Sequence, residues 1–273
     1  MEIASDIDIM DRLADALGVK SLDELEDMNN APVDYNGTGD KMIRAYLTID
    51  DITSDNTKAF IDYLCDRGIQ AVLFAWGERV ENNDEPAIYA LQKGMIIGNH
   101  SYSHPHFSEL SVEEGIAEIE RCEEVLNKLY KDAGVERKYR PFRFPYGDKG
   151  GVNKEAYQNY FKEHGFSKLD DSRITVSYWA ENDLDKDIDT FWTMDYAEYN
   201  IRPGSGFTKE DVMKRIDEFF GMIEKGEIDK DTNHIFIIHA HDETEELVPE
   251  YYKTFIDEVI GRGVEFIPPA FME

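Results

Sequence analysis

Apolar residues recur along this chain with two alternating rhythms. From Ile43 onward, short continuous or alternating apolar runs (IRAYLTI, QAVLFAW, MIIGN) are separated by stretches in which apolar residues return every three or four positions (KAFIDYLCDRG, EPAIYALQKG). The first rhythm predicts strands and the second helices. A long helix follows over SVEEGIAEIERCEEVLNKLYKDAG, opened by Ser111 and Glu114 as a capping box. Further strands are predicted at YRPFRF, RITVSYW, TFWTMDY and HIFIIHA, with helices over NKEAYQNYFKEHG, TKEDVMKRIDEFFGMIEKG and LVPEYYKTFIDEVIGRG, and a closing strand at EFIP. Repeated β–α units predict an α/β fold built on a parallel sheet, either closed as a barrel or open and doubly wound. In both forms functional residues gather at the carboxyl ends of the strands.

The first 40 or so residues read differently. Met10, Leu13 and Leu17 fall at helical spacing, Gly18 is placed to end that helix, and Ser21 with Glu24 forms a second capping box. The stretch NNAPVDYNGTGDK then reads as loop. The predicted organisation is a short helical N-terminal appendage over 1–40 and one α/β domain over 41–273.

Composition narrows the partners. With 273 residues, 41% of them hydrophobic and 12% aromatic, the chain has the material for a substantial core. Its formal net charge of -29 argues against nucleic acid or an anionic membrane surface as partner. No apolar run reaches the ~18 residues of a membrane span. The acidic, amphipathic start lacks the basic and apolar regions of a signal peptide, so a cytoplasmic location is expected of the chain as given, a trimmed chain looking the same. Cys65 and Cys122 fall in separate predicted helices and are read as reduced thiols. The oligomeric state is left open.

Five segments place chemistry-bearing residues at predicted strand ends. Asp50 and Asp51 close the first strand; two adjacent carboxylates converge only if the strand stops there, and alone such a pair is most often a helix cap. HSYSH puts His100 and His104 four residues apart in a tight turn, a spacing that presents two imidazoles to one ion. Three of the seven histidines fall within 100–106; the third, His106, is read as a rim residue. In PFRFPYG, Arg143 is placed to orient a carboxylate or substrate oxygen, and the turn at Tyr146 to offer a backbone N–H to a developing oxyanion, although an ordinary Pro-Gly turn reads the same way. WTMDYAEY sets Asp195 and Glu198 among aromatics. IFIIHAHD ends a buried strand at His239, with His241 two residues beyond it and less constrained.

Taken in order, these segments resemble the five motifs of the polysaccharide deacetylase family, carbohydrate esterase family four or the NodB-homology domain, across about residues 43–270. The HSYSHP and FRFPYG segments are the most specific part of the match. The resemblance implies a distorted (β/α) barrel of about seven parallel strands with one divalent metal, usually zinc. It implies Asp51, His100 and His104 as metal ligands and Asp50 as catalytic base. It further implies Arg143 as the residue orienting that base, the Tyr146 N–H as oxyanion donor, His239 as catalytic acid and Asp195 as the acid that tunes His239. The implied activity is hydrolysis of N-acetyl groups on amino sugars in oligo- or polysaccharides.

Three positions depart from the family pattern. The Asp pair is flanked by Ile49 and Ile52 rather than Phe and Gly, the fourth motif ends in Glu198-Tyr199 rather than Asp-Trp, and Ile237 stands where Leu is usual. The last two wall the acyl pocket in the family, so they bear on substrate preference. Two other readings compete with deacetylation. One is opening of a cyclic amide or ureide, which would release no acetate. The other is a non-catalytic carbohydrate-binding protein, disfavoured because no member of the metal and acid–base set is missing.

Overall fold

The computed structural model describes residues 42–272; the helices expected within 1–40 lie outside the described residues. Strand β1 (Ile43–Ile52) forms the centre of a parallel sheet. It pairs with β2 (Ala71–Ala75) on one side and β5 (His234–His239) on the other, while β3 (Ile96–Asn99) flanks β2 and β4 (Met194–Asp195) flanks β5. Strand β6 (Val264–Phe266) pairs with the first residues of β1. All ladders are parallel.

The apolar runs of β1, β2 and β5 follow from burial on both faces of the sheet. Leu47, Ile49, Leu73, Phe236 and Ile238 join a large cluster with the surrounding helices, including α1 (Thr57–Asp66), α4 (Val112–Ala133) and α9 (Tyr251–Gly261). Tyr46, Val72, Phe74 and Ile235 pack on the opposite side with Leu169 and Trp179. Helix α4 begins at the expected capping box, with Ser111 accepting from the Glu114 N–H and Glu114 accepting from the Ser111 N–H, and ends at Gly134 with φ of 69°. Cys65 and Cys122 are free thiols. No helix among the described residues is long and apolar enough to cross a membrane.

Among the described residues the sheet has six strands rather than about seven, and two predicted strands are largely lost. In YRPFRF only Phe142 bridges to Asn99, because Pro141 has no N–H to donate. The segment RITVSYW is not a strand: Ser177–Glu181 is a short helix, in which Trp179 buries its ring while its indole N–H donates to Asp171. TFWTMDY contributes only Met194 and Asp195. No regular ladder joins β3 to β4 among the described residues. Single hydrogen bonds continue the sheet instead, from Asn99 to the Pro141–Arg143 segment, from the Thr190 N–H to the Phe142 carbonyl, and from the Thr193 N–H to the Ile235 carbonyl of β5. These bonds follow the course of a distorted barrel wall.

Gly98 of β3 shows how tightly this irregular wall is packed. A Cβ there would lie 2.6 Å from the Pro141 carbonyl oxygen and 3.1 Å from the Phe74 ring. Backbone atoms cannot yield as a flexible side chain does, so Gly98→Ala is expected to destabilise the fold by ~1–3 kcal/mol. A urea midpoint unchanged from the parent would show that the wall relaxes freely there.

Candidate active site

The carboxyl end of β1 carries two buried carboxylates. The strand does not stop at Asp50 and Asp51, as the sequence suggested; it continues to Ile52. The register against β2 shifts between Ile49 and Ile52, and Asp51 adopts φ of 64°. This irregularity breaks the alternation of side chains, so adjacent residues reach one cleft. Asp50 pairs in register with His239 on β5, which brings a third strand-end residue to the same edge.

His100 follows β3 directly. Its Nδ1 lies 2.8 Å from the Arg143 carbonyl oxygen, which fixes the ring and aims Nε2 at the carboxylates. His100 Nε2 is 3.5 Å from Asp51 Oδ1 and 3.5 Å from Asp50 Oδ2; His104 Nε2 is 3.2 Å from Asp51 Oδ1. Ligand atoms ~2.0–2.1 Å from a tetrahedral ion lie ~3.3 Å apart, so this spacing suits a small divalent cation. Asp51 Oδ1 is buried and accepts no hydrogen bond among the described residues, as an oxygen reserved for an ion would. Burial pushes the His100 imidazole down to about 4, so it offers a neutral nitrogen at pH 7. Burial opposes ionisation of Asp51, but the close imidazoles of His104 and His241 outweigh it and hold the carboxyl well below the usual range.

On one flank, Arg143 is 1% exposed, and its Nη1 donates to Asp50 Oδ1 at 2.7 Å and Thr48 Oγ1 at 2.8 Å. Its Nε donates to the carbonyl of Thr190, the residue whose N–H bonds to Phe142. Asp50 is thus held by a residue that also bonds to the segment at Thr190.

On the other flank stands His239, and here the structure differs from the sequence reading. Glu198, not Asp195, makes the direct contact: Glu198 Oε1 accepts from the His239 backbone N–H at 2.5 Å and lies 3.1 Å from its Nδ1. Asp195 lies in the same cluster, but its Oδ1 accepts from the Ala197 N–H at 2.7 Å, closing a local turn. A left-handed residue, Ala197, starts the short helical turn Glu198–Asn200 and swings Glu198 inward to full burial. Burial acts to lower the His239 imidazole, but the Glu198 carboxylate outweighs it and raises the group to about 9. Tyr199 stands edge-on to His239 at 4.6 Å between ring centroids.

Tyr146 lies at the rim with φ of 59°, its ring stacked on His106 at 4.0 Å and edge-on to His104 at 4.6 Å. The sequence reading undervalued His241. Its Nε2 lies 2.6 Å from Asp51 Oδ2, so it sits on the second oxygen of that carboxylate. The second histidine of HAHD was the available signal. Asp50, Asp51, His100, His104, Tyr146, Asp195, His239 and His241 all line one cleft of about 870 Å³, with Arg143 buried behind Asp50.

Comparison with known proteins covers part of the chain. Residues 37–168 match the family model described as polysaccharide deacetylase. The chain is 36% identical over 112 residues to the peptidoglycan-N-acetylmuramic acid deacetylase PdaC of Bacillus subtilis, a span of 40% of this chain and 22% of that protein. It is 34% identical over 103 residues to a Bacillus cereus peptidoglycan-N-acetylglucosamine deacetylase, 37% of this chain and 36% of that one. The matches thus span well under half of these curated relatives. In fold, the chain is similar to the crystal structure of the Bc1960 peptidoglycan N-acetylglucosamine deacetylase, with a TM-score of 0.58, 19% identity, and coverage of 84% of this chain and 86% of that one.

The Glu198 contact has a measurable consequence. In the metal-free chain His239 is expected to titrate near 9, and in Glu198→Gln it should fall toward the ordinary imidazole range. A raised folded-state value means that the pair stabilises the fold fully below ~6.5, the unfolded value, and that this stabilisation is lost as pH rises through about 9. Histidine NMR titration together with urea unfolding between these limits measures both effects. A parent His239 titrating at its ordinary value would overturn the role given to Glu198.

Proposed function

We propose that this chain, which matches the polysaccharide deacetylase family model over residues 37–168, is a divalent-metal-dependent hydrolase that removes N-acetyl groups from amino sugars in an oligo- or polysaccharide. The observation that carries this reading is the convergence of Asp51, His100 and His104 in one cleft, with an acid–base pair, Asp50 and His239, beside them. Asp51, His100 and His104 would hold the ion. Three protein ligands leave room for water and substrate, as a catalytic site requires. Zinc is the metal that the family resemblance favours. When bound, such an ion polarises an acyl carbonyl and lowers the pKa of water toward ~7.

The remaining steps belong to the chain's own residues. Asp50, oriented by Arg143, accepts the proton of the attacking water. In this reading the Tyr146 N–H meets the oxygen on which charge develops as the carbonyl carbon becomes tetrahedral. As the C–N bond breaks, nitrogen must leave as an amine, because an amide anion is a very poor leaving group. His239, kept protonated at neutral pH by Glu198, supplies that proton. The products are acetate and the free amino sugar. Tyr199 beside His239 replaces the tryptophan usual in the family's acyl pocket, so the acyl group accepted is set partly by this ring.

Two measurements test this reading. His100→Ala or His104→Ala should remove the ion, because two remaining ligands rarely retain a catalytic metal; elemental analysis showing full occupancy in either variant would sink the ligand assignment. Acetate release from an N-acetylglucosamine oligomer should fall by roughly 10²- to 10⁴-fold in His239→Ala while the metal stays bound. A parent that releases no acetate but opens a cyclic amide would instead favour the ring-opening reading.

A further inference from the structure

Strand β2 lies between β1, which carries Asp51, and β3, which leads to His104. The turn after β2 therefore emerges between the two segments that supply these ligands. Its first four residues are Trp76, Gly77, Glu78 and Arg79. Their backbone ties into both segments: the Trp76 N–H donates to the Ile52 carbonyl, and the N–H groups of Gly77 and Glu78 donate to Ser101 and Tyr102, each at 2.9 Å. Gly77 is required for this approach, since a Cβ there would lie 3.1 Å from the Tyr102 Cα.

The side chains close a ring of contacts on top of the backbone bonds. The Arg79 guanidinium lies over the Trp76 ring, 4.1 Å from its centroid, and its Nη1 donates to the Asp51 carbonyl at 2.9 Å. The Trp76 ring in turn stacks on His104, with centroids 4.6 Å apart and planes 16° from parallel. His104 Nε2 then meets Asp51 Oδ1. Asp51 and His104 have positive φ, 64° and 60°, a conformation that non-glycine residues keep only where their surroundings over-determine it. Arg79 grips one of these strained residues by its carbonyl, and Trp76 covers the ring of the other.

We infer that Arg79 and Trp76 form a positioning clamp that locks Asp51 and His104 into ligand geometry as one coupled unit. This rests on the metal assignment proposed above. Neither residue touches the reacting atoms in this scheme. Their contribution is to pre-set two ligands that arrive from different strands, so that the ion need not order them. Arginine suits the task better than lysine, because only its planar group both stacks on indole and donates in that plane.

The test is Zn²⁺ affinity, measured by competition with a chromophoric chelator on parent, Arg79→Met, Trp76→Leu, Trp76→Phe and the Arg79→Met/Trp76→Leu double variant. Each of the two disruptive single variants should bind Zn²⁺ ~10- to 100-fold more weakly, the range for groups that orient ligands from outside. The double variant should be little worse than the weaker single one, since the two residues act as a unit. Trp76→Phe, which keeps a flat ring, should recover most of the affinity. Co²⁺ absorption spectra should shift in the disruptive variants, a change that loss of general stability does not produce, and circular dichroism of the metal-free proteins checks folding. If Trp76→Leu does not fold, Arg79→Met against Trp76→Phe still decides the matter. Disruptive variants, Arg79→Met and Trp76→Leu, that bind Zn²⁺ within about threefold of the parent would overturn the clamp while leaving the metal site standing. Strictly additive losses would overturn the coupling. A parent that binds no Zn²⁺ would overturn the metal assignment and the clamp with it.

Discussion

Two neighbouring carboxylates, 2% and 5% exposed, stand at the end of the central strand, and the rest of the site is arranged around keeping them there. A buried unpaired carboxylate is costly, so each must find partners or an ion. Asp50 is met by Arg143 and Asp51 by His104 and His241, with His100 between the two carboxylates. The strand irregularity that turns both side chains into the cleft is therefore stable only as part of this constellation. The partners come from the ends of β3 and β5 and from the segment at the Phe142 bridge, which ties the chemistry to the order of the strands.

The same residue type serves two opposite purposes in this cleft. His100 and His239 are both buried, and burial acts on both to disfavour the charged ring. For His100 burial prevails and the ring is driven to about 4. For His239 the Glu198 carboxylate reverses the outcome and lifts the group to about 9. One histidine is thereby neutral at pH 7 and the other protonated. Such a separation of titration behaviour is how one cleft holds both kinds of chemistry at neutral pH. A net charge of -29 also leaves the few buried cations conspicuous, and Arg143 sits among aromatic rings, 4.4 Å from that of Phe74.

Much of this was legible in the sequence. The apolar runs of β1, β2, β3 and β5 identify themselves because they are buried on both faces, and α4 announces its start through Ser111 and Glu114. The clustering of histidines in HSYSH and the Asp pair after an apolar run point to the cleft, because strand ends are where a parallel sheet exposes functional side chains. RITVSYW misled for a physical reason: its β-branched residues have strand propensity, but burial of the Trp179 ring and its bond to Asp171 decide in favour of a turn and short helix.

What the sequence determined, then, is which residues are available and at which strand ends they lie, since both follow from local periodicity and spacing. Tertiary structure alone decided who meets whom. Asp195 and Glu198 are equally plausible partners for His239 along the chain; a left-handed turn at Ala197 selects Glu198. His241 and Arg79 lie 190 and 28 residues from Asp51, and only the pairing of β1 with β2 and β5 brings them to its carboxylate and its carbonyl. Contacts of this kind depend on register and on single backbone dihedrals, quantities that leave no periodic trace in the order of residues.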